Sequence, residues 1–202
     1  KFAGNRMIEV FEAIVARFAQ IGYCRLQYKP LPFIYATTPS QDDLYALFRL
    51  GAQRVRCDLS CTIDLAARRL LSERRRRGLK KAQKVVSLSS DPIFLGDLWR
   101  VVAQNLARKH DARPVHSLEE LTLLQQRFPR QIRVRCALMD GVVEAGVVLF
   151  NTGRVWHSQY IAASEAAYSV SALDAVFAAA IIEAQEADVR YFDFGTSNED
   201  NG

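Results

Sequence analysis

Histidine and cysteine are scarce in this chain: three and four among 202 residues. The four cysteines are irregularly spaced, which excludes the disulfide framework of a small secreted domain. Cys57 and Cys61 sit four apart in "RCDLSC", but no second pair and no nearby histidine completes a metal site. The expectation is no metal and a pair of buried thiols on one strand face. No signal-peptide pattern occurs and no apolar run is long enough to span a bilayer, so the chain reads as soluble and cytoplasmic. A Ser-His-Asp order, a P-loop, a dinucleotide fingerprint and an HExxH motif are all missing, which argues against hydrolase, NTPase and dehydrogenase chemistry. Glycine is absent from Arg154 to Tyr191.

Positive charge, in contrast, is concentrated. Of 27 basic and 22 acidic residues, nine basic and one acidic lie between Arg68 and Lys84, around "SERRRRGLKKAQK". The rest of the chain is slightly acidic, at a net −3, so the overall +5 belongs to this one segment. Such a run points to one anionic partner, either nucleic acid, nucleotide phosphates or an acidic surface; a solvated helix face is the plain alternative. No aromatic residue is interleaved with these cations, so any nucleic acid would be held by its phosphates, without base stacking or sequence preference.

Half of the residues are hydrophobic, ample for a core. "MIEVFEAIVARFAQ" (7–20) repeats its apolar residues near every 3.6 positions, which predicts a helix ended by Gly22. "YCRLQYK" (23–29) reads as a short strand closed by a proline-rich turn. "SQDDLYALFRLG" (40–51) has Ser40 as N-cap, acids in its first turn and Gly51 as stop. "AQRVRCDLSCTIDL" (52–65) alternates and predicts a strand. The basic segment carries a thin apolar stripe and is weakened as a helix by Gly78. Helices follow at 89–110, opened by Asp91–Pro92, and at 117–128, with the Ser117–Glu120 capping-box spacing. Three strands, 131–140, 142–151 and 152–163, are joined by Asp140–Gly141 and Thr152–Gly153, and the first joint is a strong hairpin signal. A long apolar helix (171–187) and a strand, "VRYFDFG" (189–195), complete the order. This is an α/β (α+β) pattern with antiparallel hairpins, a helical crossover and a final parallel strand.

Four stretches carry a resemblance: "KPLPFIYATTPSQDDLYALFRLGA", "RRRRGLKKAQK", "VWHSQYIAAS" and "VRYFDFGTSNEDNG". With the element order, they are similar to the GNAT-fold N-acyltransferase superfamily, in particular its Fem-like (FemAB-type) branch, which builds tandem GNAT domains. The resemblance implies a GNAT-like mixed twisted sheet flanked by helices. It makes residues 1–62 the C-terminal part of a first GNAT-like domain whose front is absent. Residues 63–202 become a second GNAT-like acyltransferase domain lacking its last elements. A start without methionine and an end in polar turn residues fit a fragment of a longer protein.

The activity implied is transfer of an acyl or aminoacyl group to an amine acceptor. The cosubstrate is acetyl-CoA, another acyl-CoA or an aminoacyl-tRNA, with no tightly bound cofactor. GNAT enzymes bind the coenzyme A pyrophosphate at the start of the helix after the fourth strand, where unpaired N–H groups and the helix dipole favour an anion. Here that position is Ser169, Val170, Ser171 and Ala172, with Ser169 or Ser171 as cap; a plain capping role is the alternative. The usual glycine-rich acetyl-CoA loop is missing, which puts acetyl-CoA itself in question, whereas donors of the Fem-like branch include aminoacyl-tRNA.

Acyl transfer to an amine needs a base. His157 is the candidate, against a structural strand histidine. Its strand places His157 and Gln159 on one face and Trp156, Ser158 and Tyr160 on the other. Asp193, between Phe192 and Phe194, is expected to pair or to titrate upward. It would either orient the acceptor amine or cap the turn that follows. His110 and His116 flank a loop that would line an acceptor groove. In the basic segment Arg76, Arg77, Lys80 and Lys81 are the candidate contacts for phosphates of a nucleotide-linked acceptor or of donor tRNA. Partners are thus a small-molecule or nucleotide-linked amine acceptor, and tRNA. The competing reading is a non-catalytic basic module that binds nucleic acid or another phosphate-rich partner.

Overall fold

The computed structural model describes residues 3–197. The chain divides into two compact units, Lys1–Asp58 and Leu59–Gly202.

In the first unit, helix α1 (Asn5–Gln20) packs on helix α2 (Asp42–Arg49). Phe11 is buried on α1 and meets Tyr28 edge to face at 5.3 Å, while Tyr28 donates to Asp43 at 2.8 Å. Burial, seconded by the Asp43 carboxylate, pushes the Tyr28 phenol up from its ordinary value. Both helices stop where glycine was expected to stop them: Gly22 and Gly51 take positive φ, at 91° and 72°. Ser40 does not cap α2. Gln41 holds the cap position without a side-chain bond, and the Ser40 hydroxyl turns to the Asp42 carboxylate instead, at 2.5 Å.

Two strand expectations fail here. Residues 23–30 and 52–58 belong to no strand, and pairing begins only at Leu59. Alternation prepares a strand face, but a ladder also needs a neighbour, and the first unit has no strand among its described residues. Cys57 and Cys61 are accordingly exposed, as is Cys24, and only Cys136 is buried. Residues 59–62 join the sheet of the second unit, so the division falls before them rather than after Thr62.

The second unit is a six-stranded sheet in the order β1-β6-β5-β4-β3-β2. Its strands are β1 (Leu59–Asp64), β2 (Ser87–Ser89), β3 (Ile132–Met139), β4 (Val142–Asn151), β5 (Val155–Ala163) and β6 (Tyr191–Ser197). All neighbours run antiparallel except β5 and β6, which are parallel. The β3–β4 turn carries positive φ at Asp140 (50°) and Gly141 (81°), as a two-residue hairpin requires. One face is covered by helix α7 (Ala172–Glu186), the crossover between β5 and β6. Its Ala172, Val176, Ala180 and Ala184 pack on Trp156, Phe192 and Val147. The other face is covered by α4 (Leu95–His110) and α5 (Leu118–Arg127), through Leu98, Val102 and Leu121 on Val134, Cys136 and Val148. Caps read from sequence form as expected. Asp91 accepts from the Ile93 N–H, and Ser117 and Glu120 close a capping box.

The basic segment forms α3 (Glu73–Ala82), capped by Ser72, and it lies against α7. Gly78 is what permits this: a β-carbon there would meet Ser171 at 3.2 Å and Asp174 closer still. The residue that weakens the helix locally is the one through which the helix docks. Arg75 pairs with Asp174 at 2.6 Å, and Lys81 donates to the Ser169 carbonyl at 2.6 Å.

Candidate active site

The alternation along β5 breaks at one residue. Leu149 of β4 faces Ser158, but Val148 faces Tyr160, so Gln159 is an extra residue, a β-bulge. The expectation that Trp156, Ser158 and Tyr160 share a face is therefore corrected. Trp156 packs on the α7 side, while Tyr160 and Ala162 pack on the α4 side. The bulge brings Tyr160 to the same face as Phe150, whose cross-strand partner is His157.

Pairing of β5 with β6 is confined to Val155–Tyr191, Trp156–Phe192 and His157–Asp193. Beyond that point β5 runs on to Ala163 and β6 to Ser197. The two strands part at His157. Ser158, the next residue, is buried and its hydroxyl has no hydrogen-bond partner, so an unfilled polar group stands where the strands separate.

His157 and Asp193 form a dyad at this fork. His157 Nδ1 lies 2.8 Å from Asp193 Oδ2, and Asp193 Oδ1 accepts from the Thr62 hydroxyl at 3.0 Å and from the Gly195 N–H at 3.2 Å. Asp193 is 3% exposed, and its carboxylate is satisfied by three donors. It pairs with His157 and also accepts from the Gly195 N–H, in the turn that follows it. A carboxylate only accepts, so Nδ1 donates to Asp193, and in the neutral ring Nε2 is the nitrogen with the lone pair. That is the form a proton acceptor needs. The His157 side chain is 24% exposed, enough to meet a substrate. Gly195 has φ 82° and lies against the ring: a β-carbon there would be 3.3 Å from His157 Cε1.

On the same face the His116 Nδ1 and the Tyr160 hydroxyl are 2.5 Å apart, and Trp99 meets the Tyr160 ring edge to face at 4.8 Å. His116, Trp99, Arg113 and Glu119 line an open groove of about 560 Å³, so His116 does border a groove. The His110 side chain lies outside the described residues.

The expected anion site sits at the end of the sheet where β5 and β6 part, because the chain leaves β5 at Ala163 and enters α7 at Ala172. Neither serine caps α7 with its side chain. Ser169 donates back to the Ala166 carbonyl at 2.7 Å from the short helix α6 (Glu165–Ser169). Ser171 occupies the cap position in a left-handed conformation, φ 61°, without a side-chain cap bond. Val170 packs on the core and Ala172 is fully buried, so those two residues offer a ligand only their backbone groups. Alongside, Arg76 pairs with Glu73, Arg77 Nε donates to the Glu73 carbonyl at 3.4 Å, and Lys81 is committed to Ser169. The basic helix and the start of α7 are thus one surface, a juxtaposition invisible in the sequence. Thr62, Gly195, Ser158 and Tyr160 were also missed. Among the described residues no cluster of histidine, cysteine, aspartate or glutamate forms a metal site. No helix among them is long and apolar enough to cross a membrane.

The acetyltransferase (GNAT) domain family matches residues 66–200, and the chain belongs to it. Fold and family together place its second unit in the class of GNAT domains. Among solved structures, FemX is similar at 11% identity and a TM-score of 0.65, over 96% of this chain and 70% of that one. L-PGS from Bacillus licheniformis is similar at 14% identity and a TM-score of 0.56, over 80% of this chain and 53% of that one. A C-terminal domain from Agrobacterium fabrum aligns at 17% identity and a TM-score of 0.53, over 68% of this chain and 46% of that one. The chain thus spans about half the length of the last two. At these identities the likeness is one of fold, and it agrees with the Fem-like pattern read from the sequence. No curated protein matches the chain at significant similarity.

Proposed function

We propose that the second unit transfers an acyl or aminoacyl group from a CoA thioester or an aminoacyl-tRNA ester to an amine. The observation that carries this is the His157–Asp193 dyad at the fork of β5 and β6. His157 Nε2 takes a proton from the acceptor ammonium, and the freed amine nitrogen attacks the acyl carbonyl. The C–S or C–O bond of the donor then breaks, the attacking nitrogen gives up its surplus proton as the amide forms, and the thiolate or alkoxide leaves with that proton. Asp193, itself held by Thr62 and Gly195, stabilises the imidazolium and fixes the ring. The donor's phosphates lie at the start of α7, beside Lys80, Arg76 and Arg77 of α3. Without a glycine between Arg154 and Tyr191, and with Ser171 rather than glycine in the left-handed position, the backbone is less open to a pyrophosphate than in acetyl-CoA enzymes. This favours a donor whose phosphates are held by side chains rather than by the backbone.

Thermal scanning of the protein with acetyl-CoA, longer acyl-CoAs, aminoacyl-tRNA and UDP-linked sugars identifies the ligands. With the donor in hand, His157→Ala is expected to lower turnover by about 10²- to 10⁴-fold and leave donor affinity within a small factor. Wild-type turnover in that variant would remove His157 as the base.

A further inference from the structure

Three elements hold the side chain of Tyr160. β5 carries it, Trp99 of α4 meets its ring edge to face at 4.8 Å, and His116, in the loop before α5, lies 2.5 Å from its hydroxyl. The His116 ring also meets it edge to face, at 6.0 Å. Tyr160 is only half-buried, and the two residues that clamp it both line the open groove of about 560 Å³. It shares a face of β5 with His157, because their partners on β4, Val148 and Phe150, are two residues apart. Neighbours on one strand face stand about 7 Å apart along the strand, a spacing that one small group can bridge.

Protonation sets what each side chain offers. A phenol is a stronger acid than a neutral imidazole N–H, so the Tyr160 hydroxyl donates to His116 Nδ1 and its oxygen keeps its lone pairs. In neutral His157 the lone pair is on Nε2, since Nδ1 donates to Asp193. Two acceptors side by side suit a ligand with at least two donor hydrogens on one atom. An ammonium meets that condition, and an alcohol, with a single O–H, does not. Of the charged residues that line the groove, Glu119 and Glu120 outnumber Arg113, which also suits a cation. We propose that Tyr160 is a second substrate-holding residue, whose oxygen accepts one N–H of the acceptor ammonium while His157 Nε2 meets another. The site then selects amines over alcohols. This assignment rests on the reading of His157 as the base and adds to it the group that orients the nitrogen. With one N–H held by Tyr160, loss of a proton to His157 leaves a lone pair of fixed direction.

The three histidines give three sets of ring signals in ¹⁵N–¹H spectra of the whole protein, assigned with His110→Gln and His116→Asn. Above the titration of the imidazoles, butylammonium chloride should move the His157 and His116 signals together and saturably. His116 responds because a phenol that accepts one hydrogen bond donates the other more strongly. Tetramethylammonium chloride, which has no N–H, and butanol should move neither. Tyr160→Phe keeps the ring beside Trp99; it should weaken the binding read at His157 by about tenfold and abolish the His116 response. His116→Asn still accepts the phenol proton and should bind as wild type does, whereas His116→Leu should bind several-fold more weakly. That pair carries the test should Tyr160→Phe fail to fold. Wild-type affinity at His157 in Tyr160→Phe would overturn the role of Tyr160 and leave His157 as the base. A His157 signal that butylammonium leaves in place would overturn both. Butanol binding as tightly as butylammonium would overturn the selection of amines.

Discussion

A β-carbon on Gly78 of α3 would sit 2.5 Å from a carboxylate oxygen of Asp174 on α7, an oxygen pair already engaged by Arg75. In an exposed helix a larger residue replaces glycine with a gain of up to about 1 kcal/mol. Here the neighbouring helix reverses the sign. Gly78→Val should destabilise the protein by about 1–3 kcal/mol, as an overpacked contact does, in urea unfolding followed by circular dichroism. Removing the carboxylate with Asp174→Ala should recover part of that loss. A Gly78→Val protein as stable as wild type would mean that α3 does not dock on α7.

The support of the dyad can be graded. Asp193→Asn would offer His157 an amide in place of a carboxylate, disfavouring the tautomer with an unprotonated Nε2, and turnover should fall by roughly 10²-fold or more. Thr62→Val removes the Thr62 hydrogen bond to Asp193 and leaves the carboxylate in place. It should cost about 1 kcal/mol, roughly fivefold in turnover, and shift the pH–rate profile of the base without loss of donor binding. Equal effects of the two variants would contradict a role for Asp193 as the group that acts on the ring.

Charge reversal tests the basic helix. Arg76→Glu, Arg77→Glu and Lys80→Glu together should leave the fold intact, since exposed pairs such as Arg76–Glu73 contribute only about 0–1 kcal/mol. Binding of the phosphate-bearing substrate should weaken by roughly 1.5–3 kcal/mol for each charged hydrogen bond lost. Lys81→Glu belongs in a separate variant, because it also breaks the tie to the Ser169 carbonyl. The salt dependence of wild-type binding separates two kinds of partner: a nucleotide-linked ligand with a couple of phosphates gives a shallow slope, and a long nucleic-acid track a steep one. We expect the shallow slope. A triple variant that binds and turns over like wild type would reduce α3 to a solvated face.

Cys136 supplies a test of the core. Burial pushes its thiol up to about 12, from an ordinary value of 9.0, with Asp97 adding to the shift and Arg135 opposing it. Between these two values the unfolded chain loses a proton that the native chain keeps, so this group lowers stability as pH rises from about 9 to 12. The slope it contributes is at most about 1.4 kcal/mol per pH unit. Cys136→Ala starts lower by its packing loss, so the melting temperatures of wild type and variant should converge on raising the pH from 8 to 10.5. Parallel curves would show that the thiol is not held neutral.

Helix ends and hairpins were legible because they are written locally. Gly22, Gly51, Asp91, the Ser117–Glu120 box and the Asp140–Gly141 turn each act within a few positions of themselves. His157 and Asp193 could be singled out one at a time, as polar residues on otherwise apolar strands. Their union was legible only through the parallel pairing of β5 with β6, and Thr62 was not legible at all, since it reaches Asp193 across 131 positions. Residues 23–29 and 52–58 misled because alternation describes one strand and says nothing of whether another lies beside it. Ser171 misled for a different reason: a serine before a helix suggests a side-chain cap, but the left-handed backbone leaves it without one.

The extra residue at Gln159 works like a change of reading frame in the pleat of β5. It takes up one place in the sequence without a partner, so even-numbered residues lie beneath α7 before it, as Trp156 does, and beneath α4 after it, as Tyr160 and Ala162 do. Point substitutions at Gln159 preserve that frame and are expected to be mild. Its deletion would leave a regular ladder with Tyr160 still opposite Val148 and beneath α4, so the contact of Tyr160 with His116 is expected to survive it. Variation at this position is therefore tolerated in length as well as in letter.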